Sequence, residues 1–191
     1  MKRIYRRHVQ AALDRQVPAA LPGYALLPVR LSHAERAQAT LFAGSRLYRR
    51  LLPEGWATFI HFIPHQTQED LLVEVGWSLS GAFPHALSSH GPARDPADER
   101  LEEAWLIPFG LLYHRRYGRG FVGWEVWTCS VSPDHPDFQT IFMLEDLAPV
   151  SDEQAQARAE SAVRACLADV SDVAVPYLEA WVRFRRGLAE T

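Results

Sequence analysis

The sequence predicts an α+β fold, in which a mostly antiparallel sheet of about five strands has the N- and C-terminal helices packed on it. Three closely spaced strand patterns between residues 45 and 78 predict the sheet, and helical apolar periodicity near both ends predicts the helices. The 191 residues are 48% hydrophobic and 23% charged, which excludes a disordered chain. No linker composition interrupts them, so residues 1–191 are expected to form a single domain.

The first helix is predicted over residues 2–20. Its apolar stripe recurs at helical spacing and consists of Tyr5, Val9 and Leu13. Pro18 and the Pro-Gly pair at 22–23 are expected to end it, because both disrupt helical backbone. Residues 24–31 then favour a short strand. Residues 32–35 match a capping box, which predicts a short helix that ends before Gly44.

The sheet is predicted mainly from three strands over residues 45–52, 56–63 and 69–78. The second is rich in aromatic and β-branched residues. The third alternates, and its apolar face carries Leu71, Val73, Val75 and Trp77. Short turn segments separate the three strands, which indicates an antiparallel meander.

The middle of the chain has a weaker pattern. Residues 79–98 contain several prolines and no periodicity, so they are expected to form a long loop. Residues 98–112 suggest a helix broken near Pro108, and residues 113–120 suggest a basic, glycine-rich loop. Residues 121–131 alternate in the manner of a strand, and a turn cluster follows over residues 132–137.

Two helices are predicted at the C-terminal end. Ser151 to Gln154 is a second capping box, and the helix after it has an apolar side made of Ala155, Ala159, Ala162, Val163 and Cys166. Ser171 or Asp172 is expected to cap the last helix, whose stripe is formed by Val175, Leu178, Trp181 and Val182. Gly187 suits the position just beyond its end.

Charge and cysteine content limit the possible partners and compartment. Residues 1–50 carry ten basic and two acidic side chains, whereas residues 51–191 carry ten basic and 21 acidic ones. We expect the basic part to pair with acidic elements of the same chain. Because the net charge is −3, nucleic acid is not expected as a partner. No apolar stretch can span a membrane and no secretory signal is expected. Cys129 and Cys166 are expected to be buried free thiols in a reducing cytoplasm.

No catalytic, metal-binding or cofactor-binding motif stands out. Of the eight histidines, His61 and His65 lie on one predicted strand, where four residues span roughly 13 Å, too far to chelate one ion. His85 and His90 fall in the long loop. Residues 76–80 nearly match the nucleophile motif G-x-S-x-G, but no helix start follows them. We therefore predict no catalytic residue, no bound metal and no cofactor.

An arginine-rich segment gives the clearest candidate for a binding surface. Arg115, Arg116 and Arg119 lie in the predicted basic loop, and Trp124 follows on the next predicted strand. Arginine forks beside free backbone N–H groups hold carboxylates or phosphates, and exposed tryptophan with arginine is enriched at protein interfaces. The binding site is therefore predicted to be Arg115, Arg116, Arg119 and Trp124, beside the 79–98 loop.

The order of several segments resembles a bacterial family of small immunity-like proteins that is known only as a domain of unknown function. The matching segments are residues 44–50, 56–62, 73–78, Arg115-Arg116 through Trp124, and 176–178. The resemblance implies an α+β fold and favours a binding role. It transfers no site residue.

The leading expectation is thus a non-enzymatic, cytoplasmic protein-interaction module, related to immunity or stress, with a protein partner. Two alternatives stay open. One is a small metal-dependent hydrolase that uses His61, His65, His85 or His90, and the other is a small-ligand-binding protein lined by tryptophans.

Overall fold

The computed structural model of the chain describes residues 1–27, 44–65, 69–84, 100–121 and 123–189. Within them the elements, in chain order, are α1 (Arg3–Ala20), β1 (Ala25–Leu26), β2 (Arg46–Leu51), β3 (Ala57–Pro64), β4 (Asp70–Ser78), β5 (Ala104–Pro108), α2 (Phe109–Tyr117), β6 (Trp124–Glu125), α3 (Phe138–Leu147), α4 (Asp152–Asp169) and α5 (Val175–Ala189). A π-helical turn, Val170–Ala174, joins α4 to α5 without a break.

The strands form one antiparallel sheet in the order β1-β2-β3-β4-β5, and β6 pairs with the beginning of β4. Thus β5 and β6 share one edge of β4: β5 pairs with Glu74 to Ser78, and β6 pairs with Asp70 and Leu71. The α+β class, the antiparallel meander and the helices at both ends are confirmed.

One face of the sheet packs against α1, α4 and α5. Tyr5, Val9 and Leu13 of α1 are buried there, as are Leu71, Val73, Val75 and Trp77 of β4. The Trp77 ring stacks on that of Trp181 in α5, with centroids 5.1 Å apart. The Ser151 hydroxyl accepts from the Gln154 backbone N–H, so the predicted capping box starts α4. Most of the apolar stripes read from the sequence therefore face this core.

The close pairing of β4 and β5 requires glycine at position 76. A Cβ there would lie 1.9 Å from the carbonyl oxygen of Trp105, a separation that side chains do not tolerate. Gly76 pairs with Leu106, so any side chain would force the two strands apart. The glycine of the near-match to G-x-S-x-G thus serves strand packing.

Several sequence-based expectations are wrong in this part of the fold. The expected helix over 98–112 is instead β5, which ends at Pro108, followed by α2. Proline fits that boundary because it fixes φ at the N-cap and removes a donor from the strand end. Residues 113–117 of the expected basic loop form the second half of α2, and only residues 118–120, which include Arg119, lie beyond the helix. The expected strand over 121–131 is reduced to two residues, because Gly123 turns the chain with φ +129°.

The helix ends also differ from expectation. Helix α1 runs through Pro18 to Ala20, and α5 runs through Gly187 to Ala189. Neither Ser171 nor Asp172 caps a helix, since both lie within the π-helical turn. Cys166 is buried as expected, and burial raises the pKa of its thiol, whereas Cys129 is only half-buried; both are free thiols.

Some expectations lie outside the described residues. These are the strand beyond residue 27, the capping box at 32–35 with its short helix, and the loop from residue 85 to residue 98 with its His85 and His90. Among the helices that the structure describes, none has an apolar stretch long enough to cross a bilayer.

Candidate functional site

Five of the ten basic residues in the N-terminal part of the chain form ion pairs within the chain. Each of these cations faces a carboxylate of another element, and the pairs are Lys2 with Asp146, Arg7 with Asp152, Arg15 with Glu160, Arg46 with Asp14 and Arg50 with Glu179. The expected pairing within one chain is confirmed. These ion pairs account for part of the charge asymmetry of the sequence.

The predicted arginine surface takes a different form from the one expected. Arg115 and Arg116 lie in the last turn of α2, where cations favour the helix dipole. Arg119 stacks 5.5 Å from the centroid of the Tyr113 ring and donates to the Tyr113 hydroxyl at 2.7 Å. A binding role for Arg115, Arg116 and Arg119 stays a prediction.

Trp124 does not belong to that surface, which corrects the predicted site. Its side chain is only 6% exposed, and its Nε1–H donates to the Asp169 carboxylate of α4 at 2.8 Å. Its ring packs 4.6 Å from that of Phe121 and 4.9 Å from that of Phe109. Trp124 is a core residue that ties β6 to the helices, so it cannot serve as an exposed contact.

Of the two candidate histidines that the structure describes, His61 and His65, only His61 is fully buried. It is fully buried on the sheet face opposite the main core, and its Nδ1 lies 3.3 Å from Glu74 Oε2 on the neighbouring strand. Its Nε2 makes no hydrogen bond within the described chain. His65 follows the end of β3, so the two rings belong to different environments. The described residues contain no group of three or more side chains able to hold a metal ion.

The amphipathic pattern of helix α3 is inverted relative to an ordinary surface helix. None of its residues is buried. Met143, Leu144 and Leu147 are 61%, 66% and 78% exposed, and together we call them the apolar stripe of α3. Surface helices normally turn such residues toward the core and polar residues toward water. Here the apolar stripe faces solvent.

Polar contacts hold α3 to the rest of the protein. The Glu145 carboxylate accepts hydrogen bonds from the backbone N–H of Ser130, at 2.9 Å, and from the Ser130 hydroxyl, which holds the pKa of that carboxyl below its ordinary value. Asp146 pairs with the Lys2 ammonium at 2.9 Å. These two anchors fix α3 with its carboxylates inward. They also offset the unfavourable placement of acids in the last turn of a helix.

A cleft of about 610 Å³ opens beside α3, between that helix, the segment 127–133 and the start of β4. Four carboxylates line it, together with three aromatic rings, and we call it the acidic cleft: Glu69, Asp70, Glu125, Asp146, Trp127, Phe138 and Phe142. The rings of Trp127 and Phe142 meet edge to face with centroids 5.4 Å apart. Carboxylates beside aromatic faces form an environment suited to cations.

Two acidic residues of the cleft face each other across paired strands. Asp70 and Glu125 are directly opposite each other in the pairing of β4 with β6, and like charges in such positions destabilise a sheet. Burial raises the pKa of the Asp70 carboxyl, and the nearby His65 and N-terminal ammonium only partly oppose this. Asp70 is half-buried, whereas the facing Glu125 is exposed.

The sequence reasoning did not anticipate α3 or the acidic cleft. Residues 138–147 are apolar at six of ten positions, which a search for dense short apolar segments would have found. The sequence does not predict that these side chains point outward. Their orientation depends on contacts of α3 with Ser130 and Lys2, which lie outside the helix and contribute nothing to its periodicity.

Comparisons of the chain with models of known families, with curated proteins and with solved structures gave no match. The resemblance to the immunity-like family stays a prediction.

Proposed function

We propose that this chain is a non-enzymatic, cytoplasmic protein-interaction module that binds a partner protein through the apolar stripe of α3. The single observation that carries the proposal is the outward orientation of Met143, Leu144 and Leu147 on a helix held in place by polar contacts. Contiguous exposed apolar side chains of this kind mark interaction surfaces, whereas isolated ones are ordinary. The free thiols Cys129 and Cys166 favour a reducing compartment.

The chemistry around the apolar stripe favours a protein partner over a lipid surface. Helix α3 contains Glu145 and Asp146 and no basic residue, and the acidic cleft adds further carboxylates beside it. Cytoplasmic lipid surfaces are anionic, and they attract basic segments. The same charges attract a protein segment that presents apolar and basic side chains together. We therefore assign the surface to an amphipathic basic segment of another protein.

Two double variants test this proposal. Leu144→Ser with Leu147→Ser removes most of the apolar stripe, and Leu51→Ser with Leu101→Ser is the matched control, because those leucines are 60% and 59% exposed elsewhere. Each removed leucine forfeits about 1–2 kcal/mol of apolar burial at an interface, using roughly 25 cal/mol per Å². The stripe variant should therefore bind at least about tenfold more weakly.

The probe is a fluorescent 14-residue helical peptide of leucine and arginine with one apolar face, followed by fluorescence anisotropy. We expect wild type and the Leu51/Leu101 control to bind alike, and the stripe variant to lose affinity. Equal binding by all three proteins would overturn the proposal. Light scattering after gel filtration measures the oligomeric state. If wild type is a dimer and the stripe variant is a monomer, the partner is a second copy of the chain and not another protein.

A further inference from the structure

A small cavity opens where the edge of β4 changes its pairing partner. Strand β5 pairs with β4 from Glu74 onward and β6 pairs with its first two residues, so Leu72 and Val73 lie between the two paired stretches. The cavity there has a volume of about 300 Å³, and Glu74 is the one charged residue among the described residues that line it. The rings of Phe109 and Phe121 also line it and meet edge to face, with centroids 5.2 Å apart. A mostly apolar cavity with a single polar group is typical of sites for small organic molecules.

The carboxylate of Glu74 is buried but only partly satisfied. Glu74 is 9% exposed, and within the described residues its side chain makes one polar contact, between Oε2 and His61 Nδ1 at 3.3 Å. Its Oε1 therefore has no hydrogen-bond partner in that part of the chain, and no arginine or lysine there forms an ion pair with it. Buried carboxylates are normally paired, because a desolvated charge without a partner is costly.

The neighbouring histidine does not supply the missing cation. His61 is fully buried, and its Nε2 makes no hydrogen bond within the described chain. One proton at Nδ1 is sufficient for the bond to Glu74, whereas a second proton at Nε2 would be a buried donor without an acceptor. His61 therefore orients the carboxylate as a neutral donor. The negative charge at the cavity is left without a cation among the residues that the structure describes.

We propose that this cavity binds a small primary amine with an apolar body. The ammonium group donates to Glu74 Oε1, and the apolar body packs against the rings of Phe109 and Phe121, whose faces also attract cations. An anion would meet the Glu74 carboxylate as a like charge, and a neutral alcohol would leave that charge uncompensated. The site is separate from the apolar stripe of α3, since no residue of the stripe lines the cavity.

The test uses benzylammonium as the probe, with benzyl alcohol as a neutral molecule of nearly the same shape. Isothermal titration calorimetry at pH 7 measures the affinity of wild type for each. We expect saturable binding of benzylammonium and at least about tenfold weaker binding of benzyl alcohol, because the alcohol forms no charged hydrogen bond. Benzylammonium should also raise the Tm of wild type, since it binds the folded state alone.

Two substitutions place the probe in the cavity. Glu74→Gln removes the charge but keeps an oxygen that accepts from His61, so it should weaken benzylammonium binding at least about tenfold and leave benzyl alcohol unaffected. Its control is Glu153→Gln, which alters an exposed carboxylate elsewhere. Leu72→Trp fills the cavity and should abolish binding of both molecules without touching the buried pair. Its control is Leu101→Trp, which adds the same ring at an exposed site outside the cavity.

The outcomes separate this inference from the proposed function. Equal affinity of wild type for the two molecules, or wild-type affinity for benzylammonium in Glu74→Gln or Leu72→Trp, would overturn the amine site. If Glu74→Gln does not fold, the comparison of the two molecules and the Leu72→Trp variant decide. The variant of the apolar stripe should bind benzylammonium like wild type, and Leu72→Trp should bind the helical peptide like wild type, so either site can fail alone.

Discussion

Substitution of the buried pair His61 and Glu74 distinguishes a structural from a functional role for His61. The pair is directly opposed on β3 and β4, its hydrogen bond is long at 3.3 Å, and His61 Nε2 has no partner within the described chain. Each buried polar group without a partner costs about 1–3 kcal/mol. Glu74→Met strands the second ring nitrogen as well, so it should lower the free energy of unfolding by about 1–3 kcal/mol.

Adding His61→Leu to Glu74→Met removes both stranded nitrogens. The free energy of unfolding of the double variant should be about 2–4 kcal/mol higher than that of Glu74→Met. It should equal or exceed that of wild type, as when apolar residues replace other buried polar pairs. Urea unfolding followed by tryptophan fluorescence measures all three proteins, and equal m-values are required for the comparison. A double variant no more stable than Glu74→Met would refute the reasoning, because His61 Nε2 would then not be a stranded group. Unchanged peptide binding by the double variant would place His61 outside the proposed interaction.

Three further substitutions test the fold by urea unfolding. Gly187→Ala should raise the free energy of unfolding by about 0.5–1 kcal/mol, because position 187 is helical; the cap position expected from the sequence would give a loss instead. Gly76→Ala should lower it by about 3 kcal/mol, since its Cβ would meet the Trp105 carbonyl, and a neutral effect would contradict the β4–β5 pairing. Trp124→Phe should lower the free energy of unfolding by about 2 kcal/mol, because it removes the hydrogen bond to Asp169. No change in the free energy of unfolding would indicate that the ring is exposed.

The parts of the fold that could be predicted are those in which local pattern and burial agree. Strand β4 alternates in sequence, and its apolar face is the one that packs on the helices. Helix α4 has both a complete capping box and an apolar side that faces the core. In such segments the local conformational preference and the tertiary contacts select the same structure, so a single sequence is sufficient.

The parts that could not be predicted are those in which tertiary contacts decide between two local possibilities. The pattern of residues 98–112 predicts one broken helix, but the edge of β4 is available for pairing and takes Ala104–Pro108 as β5. Residues 121–131 alternate like a strand, but the positive φ of Gly123 and the short free edge of β4 leave only two paired residues. Neither the free edge nor the backbone turn is visible in the periodicity of the segment itself.

The candidate site was predicted less well than the fold for the same physical reason. Alternation placed Trp124 and Trp127 on opposite faces of a strand, and it gave no means to tell which face is covered. The structure covers Trp124 and leaves Trp127 half-buried at the acidic cleft. The exposure of a side chain depends on how the sheet and the helices pack together. A binding residue on a strand can therefore be predicted only when it is known which face of the sheet is covered.

The features that oppose stability are concentrated where α3 meets β4 and β6. Carboxylates occupy the last turn of a helix, two acids face each other across paired strands, and an apolar stripe points into water. Each violates a rule that the core of this protein obeys, and such violations mark sites selected for binding rather than for stability. A partner segment with apolar and basic side chains would cover the stripe and add positive charge beside the facing acids. The affinity of the complex would then arise in part from the removal of unfavourable interactions in the free protein, so the partner should raise the stability of the chain as well as bind to it.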